Sequence, residues 1–125
     1  MMLADTATQL HDLQALQTYT PQLEQLALRD HHEFYLGVAH RAWGVAHRLA
    51  GEHTKAHTRL KAALTIFTNM GARWQMGRTL SELGELERSR SKAKMARDHF
   101  EKALIAFEGI QALPDAERVK ILLNE

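Results

Sequence analysis

Residues 31–70 read HHEFYLGVAHRAWGVAHRLAGEHTKAHTRLKAALTIFTNM, and residues 71–110 read GARWQMGRTLSELGELERSRSKAKMARDHFEKALIAFEGI. Set one beneath the other, they align without a gap at a period of 40. Gly37 falls on Gly77, Gly44 on Gly84, Ala56 on Ala96, Ala63 on Ala103, Leu64 on Leu104 and Phe67 on Phe107. Bulky positions recur as well: Phe34 with Trp74, Leu36 with Met76, Trp43 with Leu83, Leu60 with Phe100. A fixed period of this size marks a stacked array, in which each unit buries its apolar face on the next. The fold class that follows is all-α: stacked antiparallel helix hairpins forming an α-solenoid, about seven helices in all. Such an array is a scaffold for binding.

Within each copy the apolar residues keep helical spacing. Leu36, Ala39, Trp43, Ala46 and Ala50 mark a helix over 31–50, and Gly51 its turn. Ala56, Leu60, Ala63, Leu64 and Phe67 mark a partner helix over 53–69, and Gly71 punctuates its end. In the second copy Trp74, Met76, Leu80, Leu83 and Leu86 mark 72–89, where the turn at Arg90-Ser91 has lost its glycine. Met95, Ala96, Phe100, Ala103, Leu104 and Phe107 mark 92–108, closed by Gly109.

Composition agrees. Leucine and alanine number 18 each, against seven valines and isoleucines together, which favours helix over sheet. The formal net charge of +1, with both signs interspersed, argues against a nucleic-acid binder. There is no cysteine, which excludes disulfides and thiolate metal sites and is compatible with a reducing compartment. No apolar run approaches the roughly 20 residues of a membrane span. The start, Met-Met-Leu-Ala-Asp, lacks the basic flank and apolar core of a signal peptide. A cytoplasmic protein is expected.

The ends read less regularly. Thr6 followed by Gln9 resembles a capping box, and Leu10, Leu13 and Leu16 follow it, which predicts a helix over 6–18. Thr20-Pro21 reads as a cap and first helical residue, which predicts a second helix over 21–29 with Leu23, Leu26 and Ala27 inward. The pair 6–29 is expected to be a divergent end unit. Pro114-Asp115 opens a last helix over 114–124, a C-terminal cap onto which the period projects Trp43 and Leu83 as Leu123. The whole of 1–125 is read as one domain, with repeats at 31–70 and 71–110.

Small and large residues alternate as facing helices require. Gly44 and Gly84 remove a side chain where two backbones come closest. Ala56, Ala63, Ala96 and Ala103 do so on the facing helix, while Leu60, Phe67, Phe100 and Phe107 fill between. With Gly44 as the eighth position of a unit, Trp43, Gly44, Gly51, Ala56, Leu60 and Ala63 match the signature of the tetratricopeptide (TPR) motif. The second copy matches at Leu83, Gly84, Ala96, Phe100 and Ala103. The chain resembles a TPR protein across roughly residues 31–123. It departs in its period, 40 against about 34. It also lacks the usual proline, and it has His47 and Glu87 where the family has an apolar residue. The long-period form is similar to TPR regions of large bacterial transcription regulators, including ATPase-type and peptide-sensing ones. The resemblance implies a module that binds a protein or peptide, often self-associating, in bacterial regulation or signalling.

In TPR arrays the first helix of each hairpin lines a concave groove. Mapped onto this chain, that face consists of Val38, Arg41, Val45 and Arg48, then Arg78, Ser81, Glu85 and Arg88. Four arginines and one glutamate suit an acidic peptide or helix, because a guanidinium grips a carboxylate through two parallel bonds. Self-association as a homodimer through an end face is the alternative reading, and a sensor for a peptide or small ligand a further one. His53 and His57 stand one turn apart without a third ligand nearby, so no metal and no cofactor is implied. His40 reads as a packed or hydrogen-bonded residue and Trp74 as core. The run Arg88, Arg90, Lys92, Lys94, Arg97 reads as a solvated turn. No phosphate loop, Gly-x-Ser-x-Gly elbow or His-Glu-x-x-His motif occurs, so no enzyme activity is expected.

Overall fold

The computed structural model describes residues 2–125, the side chains of Met2, Leu3 and Thr6 excepted. It is all-helical among the described residues, with seven helices in sequence order: α1 Met2–Leu10, α2 Leu13–Arg29, α3 Glu33–Leu49, α4 His53–Met70, α5 Arg73–Ser89, α6 Ala93–Gly109 and α7 Leu113–Leu123. These are the antiparallel hairpins of a helical repeat. Contacts divide the chain into two compact units, Met1–Ile66 and Phe67–Glu125.

One turn is used six times. His11, His31, Gly51, Gly71, Ser91 and Gln111 have positive φ, one every 20 residues. At each, the next residue donates its N–H to a carbonyl five residues back: Asp12 to Ala7, His32 to Ala27, Glu52 to His47, Ala72 to Phe67, Lys92 to Glu87 and Ala112 to Phe107, at 2.8 to 3.0 Å. The positive-φ residue itself bonds back three residues, as His11 does to Thr8 and Gly51 to Arg48. This is the Schellman closure. The donor residue then opens the following helix, its carbonyl accepting from the residue four on. At Asp12 the side chain also caps, accepting from Ala15 N at 3.1 Å. A single joint of two or three residues therefore links every helix to the next, and the basic interval is 20 residues, half the period visible in the letters.

That joint corrects the expected ends. The first turn is at His11-Asp12, not at Tyr19-Thr20, so the helices expected at 6–18 and 21–29 are instead Met2–Leu10 and Leu13–Arg29. Pro21 lies inside α2. Leu16, Thr20, Leu23 and Ala27 are all buried, so the inward stripe runs straight past the proline. Packing along that stripe outweighs the backbone bond that proline forfeits. The Thr6 side chain of the expected capping box lies outside the described residues. Gly109 is the last residue of α6, and Gln111 adopts the left-handed turn conformation.

In unit 1, Ala7 of α1, Leu16 of α2 and Ala42, Val45 and Ala46 of α3 form a core cluster, with Leu13, Ala15 and Leu49 against it. A Cβ on Gly44 would stand 2.5 Å from Leu60 Cγ, so the bare position on α3 makes room for the Leu60 side chain of α4. In unit 2, a Cβ on Gly84 would stand 2.5 Å from Phe100 Cε1, and one on Gly77 2.5 Å from Phe107 Cε1. Two bare positions on α5 thus receive two phenyl rings from α6. Ala96 and Ala103 are buried beside those rings, and α7 adds Ala116 and Val119.

Candidate interaction face

The eight groove residues expected from the repeat register fare differently in the two units. In unit 1, Val38, Arg41 and Val45 are core, at 4%, 1% and 0% exposure, and Arg48 is half-buried. The expectation of an open face on α3 is corrected by α1, which packs against it. Ala4 and Ala7 are both buried, and small side chains let the two helices come together. Arg41 Nη2 pairs with Asp5 Oδ1 at 3.2 Å across that seam.

In unit 2 the equivalent residues are accessible: Arg78, Ser81 and Glu85 are half-buried and Arg88 is exposed. The face continues through two bridges, one to α7 and one to the residue two beyond its end. Trp74 Nε1 donates to Asp115 Oδ2 at 3.1 Å, and Arg88 Nη2 donates to Glu125 Oε2 at 2.8 Å. The Arg78 guanidinium lies 4.9 Å from the Trp74 ring centroid. Arg118 pairs with Asp115, and Arg88 also reaches Glu85 at 3.8 Å. Trp74, expected in the core, is 38% exposed, because the bond to Asp115 holds its polar edge at the surface.

The expected basic groove therefore becomes a mixed face. Arg78, Arg88 and Arg118 stand among Glu85, Asp115 and Glu125. The α7 residues were overlooked in the sequence, although the period carries Arg78 onto Arg118 and Glu85 onto Glu125. No family model, curated protein or solved structure matches this chain.

Unit 1 has a second polar cluster, on α2, α3 and α4. Arg59 pairs with Glu24, donates to His40 Nδ1 at 3.0 Å and lies 5.5 Å from the Trp43 ring centroid. Trp43 Nε1 donates to Glu24 Oε1 at 3.0 Å, and Trp43 stacks on His47 at 5.6 Å, which meets Glu52 at 3.0 Å. A guanidinium can only donate, so His40 accepts and is neutral here. Burial, then the charge of Arg59, push the His40 pKa below its ordinary value. His40 is thus packed and hydrogen-bonded.

His53 and His57 are half-buried on α4, and no group of three metal-ligating side chains occurs among the described residues. In the basic stretch Arg90 pairs with the buried Glu87 at 3.2 Å and Arg97 with Glu101 at 3.5 Å, while Lys92 and Lys94 are exposed. Among the described residues no helix is long and apolar enough to cross a membrane.

Proposed function

We propose that this chain is a protein-interaction module of the TPR kind, which receives a peptide or a partner's helix on the α5–α7 face of unit 2. The observation that carries the reading is the setting of Trp74. Its indole is exposed yet fixed, with the N–H tied to Asp115 and Arg78 over the ring. Tryptophan and arginine are the side chains in which interface energy concentrates. Held in place before binding, they lose little rotamer freedom when a partner arrives. The matched charges around them disfavour a purely acidic ligand and suit one that carries both signs beside an apolar anchor. The signature positions at Gly44, Gly84, Ala56, Ala96, Ala63 and Ala103 support the TPR assignment, and with it a cytoplasmic role in bacterial regulation or signalling.

The test is selection from a random peptide display library on the parent chain, followed by affinity measurement on Trp74→Ala/Arg78→Ala. Enriched peptides should bind the parent and lose at least about tenfold on the double variant, roughly 1.4 kcal/mol. Absence of enrichment, or equal affinity for both proteins, would overturn the proposal.

A further inference from the structure

Trp43 sits between two histidines of α3, His40 three residues before it and His47 four residues after, a spacing that puts all three on one helix face. The two imidazoles have opposite partners. His47 meets the Glu52 carboxylate, so a proton on its ring strengthens that contact. His40 meets the Arg59 guanidinium, which has no lone pair to offer. A proton on His40 Nδ1 and this bond exclude each other.

The same guanidinium pairs with Glu24 and lies 5.5 Å from the Trp43 ring centroid. Glu24 in turn accepts from the indole N–H at 3.0 Å. One side chain of α4 therefore ties together a carboxylate of α2 and an imidazole and an indole of α3. The charged groups facing His40 are Arg59 from α4, Glu24 from α2 and Glu33 of its own helix. The other helix packed on α3 in this unit, α1, sets Asp5 against Arg41 instead. A protonated His40 repels Arg59 across the 3.0 Å that separates them and competes with it for Glu24. Arg59 is the partner that can give way, since its side chain is 29% exposed and its long stem can carry the charge into water.

We propose that these groups form a proton-operated latch on the Trp43 indole: neutral His40 keeps Arg59 over the ring, and protonated His40 takes over Glu24 and expels Arg59, which uncovers the ring. Burial and then the Arg59 charge hold the His40 pKa below its ordinary value, so the latch stays shut at neutral pH and opens in acid. The period carries His40, Trp43 and Arg59 onto Leu80, Leu83 and His99, so the second copy has no such set. Tryptophan and arginine released together are the side chains in which contact energy concentrates, so the latch sets when this edge of unit 1 can take part in binding. It does not rest on the Trp74 face.

Trp74→Phe leaves Trp43 as the sole tryptophan of the chain. Acrylamide quenching of its fluorescence is followed through a pH titration, with the His40 ring-proton shifts read by NMR on the same samples. Quenching should rise about twofold or more as a ring face loses its guanidinium cover, with a midpoint equal to that of His40 and the circular dichroism unchanged. His40→Gln in this background, whose side-chain oxygen can still accept from Arg59 but does not titrate, should keep quenching low throughout. Arg59→Ala should keep it high at every pH and raise the His40 midpoint. The latch is overturned by quenching that does not follow the His40 titration, by an acid rise that persists in His40→Gln, by Arg59→Ala that quenches no more than its parent at neutral pH, or by a rise that comes only with loss of circular dichroism.

Discussion

Val45 and Glu85 hold the same position, 40 residues apart, on first helices built to one pattern. Yet Val45 is sealed at 0% exposure and Glu85 is only half-buried. In unit 1 the α1–α3 seam is lined by alanine and valine and closes around the ion pair of Arg41 with Asp5. In unit 2 the α5–α7 seam carries an indole, arginines and carboxylates, which meet through their tips and leave the face accessible. Register decides which residues face the neighbouring helix. Side-chain size and charge decide whether the seam becomes core or a binding surface.

The largest expected effect concerns the hairpins. Gly84→Val should cost about 3 kcal/mol in chemical denaturation, because its branched side chain meets the Phe100 ring. Gly44→Val should cost less, since Leu60 can change rotamer where a ring cannot. Equal losses would mean that the two hairpins are equally compliant.

Next comes the sealed seam. Asp5→Ala removes a carboxylate from a guanidinium that is 1% exposed and should cost about 2 kcal/mol, below the full loss for a buried pair because Asp5 is partly solvated. Arg118→Ala, its counterpart on the open face, should cost under about 0.5 kcal/mol. Comparable losses would erase the contrast between the seams.

Smaller gains are expected at the turns. Ser91→Gly and Gln111→Gly relieve side chains held at φ 60 and 58 and should each add about 0.5 kcal/mol, part of the relief being lost to the freer unfolded chain. Gly51→Ala, at φ 80, should lose about 1 kcal/mol.

The smallest effect is a pH slope confined to unit 1. His40 titrates below its ordinary value in the folded chain, so from its ordinary pKa down to the lowered one the unfolded chain binds more protons. Stability then falls as pH falls through this window and levels off below the folded pKa. Amide exchange should follow that slope in α2 and α3, and His40→Gln should flatten it.

The fold was legible where packing demands a particular letter. Gly44 and Gly84 are recognisable because a Cβ at either would stand 2.5 Å from a side-chain atom of Leu60 or Phe100. The 20-residue joint was not, since a Schellman closure is made by backbone groups, and His11, His31, Ser91 and Gln111 carry no glycine to announce it. Thr20-Pro21 misled for the opposite reason: a strong local start signal was overridden by the buried stripe from Leu16 to Ala27. The site was half legible. The register placed Arg78, Ser81, Glu85 and Arg88 on one accessible side of α5, but Asp5 and Asp115, which close one seam and fix the other, lie on helices with few letters in common with the clear repeats.

Thiol labelling of single cysteines at Val45 and Glu85 compares the two seams at one register, and the chain has no cysteine of its own to interfere. Glu85→Cys should react at least about a hundredfold faster than Val45→Cys, which can be reached only through local opening that costs a few kcal/mol. Equal rates would contradict the division into a sealed seam and an open face.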